Sequence, residues 1–155
     1  MALHSSAGTC LSVSAALPET YDAAGFDALT FTTVGELETI GGMEIRRNTG
    51  TFTGLCSSNS TTIKGARQAM TISVVAALDE DDAGQVLMIA SEAEKSDLYS
   101  FCVTESNGVK NYFVGTVIAA GKTFGGDTDP VRAPYDIAVQ SVPEMERPIL
   151  VVPAA

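Results

Sequence analysis

An alternation that runs from Met70 to Leu78 and stops at four consecutive carboxylates limits this chain more than any other feature. Met70, Ile72, Val74, Ala76 and Leu78 alternate with Thr71, Ser73, Val75 and Ala77, and a period of two predicts a strand with one buried face. Asp79, Glu80, Asp81 and Asp82 end it, and from Ala83 the apolar positions Val86, Leu87, Ala90 and Ala93 fall at helical spacing. The carboxylates suit the free N–H groups and positive dipole end of a helix starting there, and Lys95 suits the far end. They do not make a calcium loop, because the alternating oxygen ligands, central Gly and terminal Glu are missing.

A hairpin follows. Asn107-Gly108 is the dipeptide preferred in a two-residue type I′ turn. That turn sets Glu105 opposite Lys110, Val103 opposite Tyr112, Phe101 opposite Val114 and Tyr99 opposite Thr116. It predicts one buried face of Tyr99, Phe101, Val103, Tyr112, Val114 and Ile118, closed near the turn by an opposite-charge pair. The other face carries Leu98, Cys102, Phe113 and Val117 among polar residues and calls for cover as well.

Before this unit, residues 11–17 alternate as a strand stopped by Pro18, residues 19–27 read as a loop, and residues 28–34 and 36–40 read as strands. Tyr135, Ile137, Val139 and Ser141 mark a last strand ended at Pro143. The apolar run Ile149 to Val152 either adds an edge strand or meets a partner. The expected core is Leu29, Phe31, Ile72, Val74, Leu87, Phe101, Tyr112, Val114 and Ile137. Strands dominate, so the layer solution is a mainly β fold, a β-sandwich or half-barrel with one flanking α-helix.

Residues 41–67 differ in character. They lack sustained periodicity, are rich in Gly, Ser, Thr and Asn, and hold Arg46, Arg47, Lys64 and Arg67, four of the chain's nine basic residues. A connection this long is uncommon inside a compact domain unless it has a function or orders on a partner.

At 155 residues one domain, residues 1–155, is expected, large enough to fold without staples. Residues 1–10 read as a flexible arm and residues 143–155 as a second arm. Cys10, Cys56 and Cys102 are far apart and odd in number, which points to a reducing compartment and to neither a zinc site nor a disulfide framework. No leader pattern and no membrane-spanning run is visible, so a soluble, unexported chain is expected. A net charge of −10 disfavours nucleic-acid binding. His4 is the one histidine, and no hydrolase elbow, zincin or phosphate-loop motif is present. No enzyme, cofactor or metal is therefore expected.

Three phrases in order, TYDAAGF-ALTFTTVGE, the DDAGQ-L helix start and the YSF-VT hairpin with its YF-G return, resemble the major tail tube protein of long, non-contractile bacteriophage tails and of phage-derived gene-transfer particles. The likeness covers about residues 11–142. It implies a β-sandwich with a flanking helix and hexameric rings stacked into a hollow tube, with inner strands joined across subunits into a continuous barrel. It also implies a virion tail location after assembly in host cytoplasm, with ruler, terminator and baseplate or tip proteins as partners. Genome DNA would pass the lumen without specific binding, no membrane would be involved, and no reaction would be catalysed. The rivals are a single-ring tail-completion or connector protein and a monomeric small-ligand β-barrel. Within the tube reading, residues 41–67 are expected to contact the next ring through Arg46, Arg47, Phe52, Leu55, Lys64 and Arg67. Glu36 and Glu38, alternating with Leu37 on a stretch without bases, are the lumen candidates.

Overall fold

The computed structural model describes residues 3–95 and 97–154. Among them the elements run β1 (Cys10–Ser14), α1 (Ala23–Asp27), β2 (Thr32–Thr33), β3 (Leu37–Ile40), β4 (Arg47–Thr53), β5 (Ser60–Arg67), β6 (Met70–Ala77), α2 (Ala83–Ala93), β7 (Tyr99–Thr104), β8 (Lys110–Ala120), β9 (Arg132–Val139) and β10 (Ile149–Val152). The main sheet has the order β2-β1-β7-β8-β9-β6-β3, and β10 adds to β8. Every ladder in it is antiparallel. β10 lies beside Lys110 to Phe113 and β9 beside Gly115 to Ala120, so the two share one edge of β8 end to end. Ile149 to Val152 thus form a strand of the chain's own sheet.

In β6, Ile72, Val74 and Ala76 are buried while Thr71 and Ser73 face out, and in β9 Ala133, Tyr135, Ile137 and Val139 are buried. The main core draws Leu11 and Val13 from β1 at one end of the strand order and packs Leu37 and Ile40 of β3 from the other. A sheet whose two ends meet over one core is curled, so the architecture is a half-open barrel. A second, smaller cluster of Phe26, Cys102, Tyr112 and Val114 lies on the other face of β7–β8. It is covered by Tyr21, Leu29 and Phe31 on one side and by Val142, Met145, Leu150 and Val152 on the other. Of the expected core, Leu29, Phe31 and Leu87 are only half-buried, and the first two belong to this outer cluster.

The β7–β8 register differs from the expected one by a single residue. Phe101 pairs with Phe113, Cys102 with Tyr112 and Val103 with Asn111. The loop has three residues: Glu105 N donates to Val109 O at 2.8 Å, Gly108 N donates to Glu105 O at 2.9 Å, and Gly108 takes φ +92°. Asn107 keeps a negative φ. That is a three-residue turn with glycine in the left-handed position, in place of a type I′ turn, which needs positive φ at both central residues. Since the side-chain period is two, one extra residue moves one strand's side chains to the other face. Phe101 therefore stacks on Phe113 in the main core, with centroids 5.3 Å apart, whereas Tyr112 stacks on Phe26 at 4.9 Å in the outer cluster. Phe101 and Tyr112 do not share a face, Val114 goes with Tyr112, and Ile118 is exposed. The Glu105–Lys110 pair is also replaced: Lys110 faces Thr104 and its Nζ lies 3.9 Å from Asp27.

α2 begins where expected, with Asp82 as its cap accepting from Gln85 N at 3.0 Å. The other carboxylates lie outside its first turn, and the helix ends two residues before Lys95. Its buried stripe is Gly84, Gln85, Met88 and Ser91, while Val86 and Ile89 face out. Backbone groups at the barrel's end explain this inversion of polarity. The Gln85 amide donates to Gly35 O at 3.2 Å and Ala77 O at 2.9 Å and accepts from Asp79 N at 3.1 Å. Ser91 Oγ accepts from Val117 N at 3.2 Å. Buried backbone groups left unpaired are costly, so these side chains belong inside. Gly84 is required by contact, because a Cβ there would lie 2.4 Å from Thr33 O.

The stretch expected to be a loop at residues 19–27 contains α1, capped by Asp22 accepting from Gly25 N at 2.8 Å. Backbone donation from Gly25 and then the Thr20 hydroxyl hold the Asp22 carboxyl below the usual carboxylate range. The fold thus has a second, short helix. Of the strand expected at 28–34, only Thr32–Thr33 pairs, with β1.

Candidate assembly interface

Residues 41–67, expected to lack regular structure, form a two-stranded ribbon. β4 pairs with β5 through Thr49 opposite Lys64, Gly50 opposite Ile63, Thr51 opposite Thr62, Phe52 opposite Thr61 and Thr53 opposite Ser60. The sequence hid it because neither face is buried, and hydrophobic alternation reports burial. Thr and Ile at the paired positions favour strands, and that was the one available signal. All seven residues of β4 are exposed, and in β5 only Arg67 is partly covered. The ribbon continues the β3–β6 pair outward: Gln68 N donates to Arg46 O at 2.8 Å and Gly41 N to Ser73 O at 2.6 Å.

The ribbon's two faces differ. Paired residues point the same way, so Phe52 and Ile63, 64% and 60% exposed, share a face with Gly50 and Thr61. Thr51, Thr53, Ser60 and Thr62 form the other. Leu55, fully exposed, stands at the tip, where residues 54–59 carry no charge.

The four basic residues are not concentrated at the tip. Arg47 sits opposite Arg67 at the root; Arg47 donates to Gly65 O at 3.2 Å, and Arg67 donates to Glu146 O. Arg46 Nε pairs with Glu44 Oε1 at 2.9 Å, which holds the Glu44 carboxyl below the usual carboxylate range. Lys64 lies further along the ribbon. The predicted contact set therefore separates into an apolar outer part and a basic root, with the root charges partly committed to their own chain.

Glu36 and Glu38 are both exposed, but they do not alternate on one strand. Glu36 precedes β3 with a left-handed φ of 54°, and Glu38 Oε2 accepts from Arg132 Nε at 2.6 Å, which cancels its charge locally. His4 is tied to the β7–β8 turn: its Nε2 lies 2.9 Å from Glu105 Oε2, and Ser106 Oγ donates to Ser5 O at 2.8 Å. Glu105 also accepts from the Asn111 amide at 2.9 Å. The Asn111 bond first, and then His4, hold the Glu105 carboxyl below the usual carboxylate range. From sequence alone His4 falls in a loose terminus, because a contact 101 residues away leaves no local trace.

No protein-family model matches the sequence, and no curated protein matches it. Solved structures do. The chain superposes on the sheath/tube terminator of PVC, an extracellular contractile injection system in its extended state, with TM-score 0.69 and 8% identity over 99% of both chains. It superposes on a chain in the C6-symmetric tail of an empty GTA particle with TM-score 0.63 and 12% identity, over 90% of this chain and 96% of that one. A chain in the six-fold symmetrised baseplate of the anti-feeding prophage gives TM-score 0.63 and 4% identity, over 98% and 97%. At such identities the likeness speaks for the fold. The mainly β, half-open barrel with its helix is the fold of components of phage-like tails and injection systems.

Proposed function

We propose that this chain is a structural tail protein without catalytic activity, which polymerises as stacked hexameric rings into a hollow tube for DNA. The β4–β5 ribbon carries the proposal. A lone two-stranded ribbon is at best marginally stable in water, and one with Phe52, Leu55 and Ile63 exposed invites a partner. In a tube that partner is the next ring. Stacking a protein of net charge −10 brings like charges together, and the basic ribbon root offsets part of that repulsion. Tail fold, exposed ribbon and acidic balance fit one assembly, in which Glu36, without the Arg132 partner that Glu38 has, is the better lumen candidate. The solved neighbours include contractile systems, and the non-contractile assignment follows the sequence resemblance. Ruler, terminator and baseplate or tip proteins are the other partners.

Deleting Thr49 to Ser60 should leave a monomer that melts as cooperatively as the wild type but forms no long tubes by negative-stain microscopy. Normal tubes from that variant would overturn the role given to the ribbon. The second reading, a terminator that forms one ring and stops, is favoured by the match over 99% of both chains to the PVC terminator. Single rings from wild-type protein at every concentration would select it.

A further inference from the structure

Both ends of the chain are fastened at the β7–β8 turn. From the amino-terminal side, His4 Nε2 lies 2.9 Å from Glu105 Oε2, Ser106 Oγ donates to Ser5 O at 2.8 Å, and a Cβ on Gly8 would stand 3.5 Å from that of Ser106. From the other end, β10 pairs with Lys110 to Phe113, and Ala154 reaches the turn, 3.2 Å from where a Gly108 Cβ would be. At the centre of this junction stands Asn107-Gly108, both exposed. Of the chain's four asparagines, Asn107 alone precedes a glycine.

We infer that Asn107 is a site of self-modification, gated by opening of the turn, whose side-chain amide becomes a carboxylate and whose conversion loosens both chain ends. Two features favour the reaction. Gly108 has no Cβ to block approach to its nitrogen. Val109 N donates to Asn107 Oδ1 at 3.1 Å, a side-chain bond to the backbone two residues on, and it folds the carboxamide back over the peptide that follows. The same bond stabilises the negative oxygen that attack creates, as an oxyanion-hole donor does. One feature restrains the reaction: Gly108 N donates to Glu105 O at 2.9 Å, so the nitrogen is free only when the turn opens.

In the open turn a solvent base takes the Gly108 N–H proton and the nitrogen bonds to Asn107 Cγ. The Cγ–Nδ2 bond breaks, ammonia leaves, and a five-membered succinimide remains. Water then opens the ring. Cleavage between the Gly108 nitrogen and Cγ leaves aspartate at position 107, and cleavage at the backbone carbonyl leaves isoaspartate. Aspartate adds a negative charge two residues from Glu105, and isoaspartate adds a methylene to the backbone of a three-residue turn. Either product disturbs the contacts that hold His4, Ser5 and Ala154. Water and a solvent base are the only reactants, so this chemistry is independent of how the chain assembles.

Full-length protein held in mildly alkaline buffer and followed by peptide mass spectrometry should gain the carboxylate at Asn107 before Asn48, Asn59 or Asn111 changes. The gain should run about five-fold more slowly than in a free peptide of residues 103–112, the factor that one ordinary hydrogen bond is worth. His4→Ala leaves the local sequence intact and removes an exposed tie to Glu105, and it should speed the reaction about two-fold. Aged wild type should show faster amide exchange at residues 4–9 and 149–154 with the core unchanged, and aged Asn107→Gln should not. An Asn107 still intact after the free peptide has converted, or earlier conversion at Asn48 or Asn59, overturns the site. Folded protein reacting as fast as the peptide, or a His4→Ala rate equal to wild type, overturns the gating. Equal exchange in aged wild type and aged Asn107→Gln overturns the loosening of the ends.

Discussion

β6 and β4 are strands of similar length separated by sixteen residues, yet they sit at opposite extremes. In β6 every second side chain enters the core; in β4 none does. β6 obtains its stability from its own chain, between β3 and β9. β4 has one neighbour, β5, and two open faces. Strand formation and core formation are therefore separable, and a strand outside the core is where a partner is to be sought.

Truncating one aromatic in each region tests this difference most directly. Phe101→Ala, in the main core, should cost about 3 to 5 kcal/mol in urea unfolding of the monomer. Phe52→Ala should stay within about 0.5 kcal/mol of wild type while weakening assembly. A large monomer loss at Phe52 would show that the ribbon packs on its own subunit. Between these extremes lies the outer cluster. Tyr112 is buried and its hydroxyl donates to Asp27 Oδ1 at 2.5 Å. Tyr112→Phe should cost about 1 to 2 kcal/mol, because the bond is to a charged but half-exposed carboxylate. A neutral result would mean water replaces the hydroxyl freely. Burial and then the Asp27 bond push the Tyr112 phenol up. Its contribution is therefore complete below the ordinary tyrosine range and lost in strong alkali.

Gly108→Ala introduces a side chain at φ +92° whose Cβ would lie 3.2 Å from that of Ala154. The left-handed penalty is about 1 to 2 kcal/mol, and the lower entropy of the unfolded alanine chain offsets part of it, leaving a loss of about 1 kcal/mol by thermal melting. An unchanged melt would imply that the turn relaxes to another geometry. The smallest effect is expected in the amino-terminal arm. Glu105 has a depressed pKa in the folded chain, so its stabilising contribution is present above the ordinary glutamate range and is lost as pH falls through the folded value. Acidification should free residues 4–9 first, read as faster amide exchange there before the core opens. Glu105→Gln should remove that acid sensitivity.

What the sequence made legible was whatever local chemistry determines. β6, β9 and the start of α2 follow from side-chain alternation and from Asp82, and the mainly β class follows from their sum. The β7–β8 register was missed by one residue, since Asn-Gly serves both two- and three-residue loops and the choice depends on which face each aromatic can bury. Phe26 on one side and Phe101 on the other make that choice, and neither is local to the turn. The α2 stripe was inverted because Gln85 and Ser91 are buried to satisfy backbone ends from other elements. In the candidate interface, Phe52 and Leu55 are legible as candidate anchors and both are exposed, but the β4–β5 pairing is hidden by the lack of any buried face. The separation of basic root from apolar tip became visible only once the strands were paired.

β1 lies between β2 and β7, with Cys10 opposite Thr104, and this long ladder sets an order in time. At about 5 to 20 residues per second of synthesis, the first strand waits several seconds or more for its main partner to be made. The β4–β5 ribbon, paired only within itself, can close long before. On a polysome the ribbon, with Phe52, Leu55 and Ile63 exposed, is thus complete while β7 to β10 are not yet translated. Its apolar residues therefore stand exposed for seconds before the core of the same chain can close, which makes the ribbon the first surface of the subunit open to premature contact.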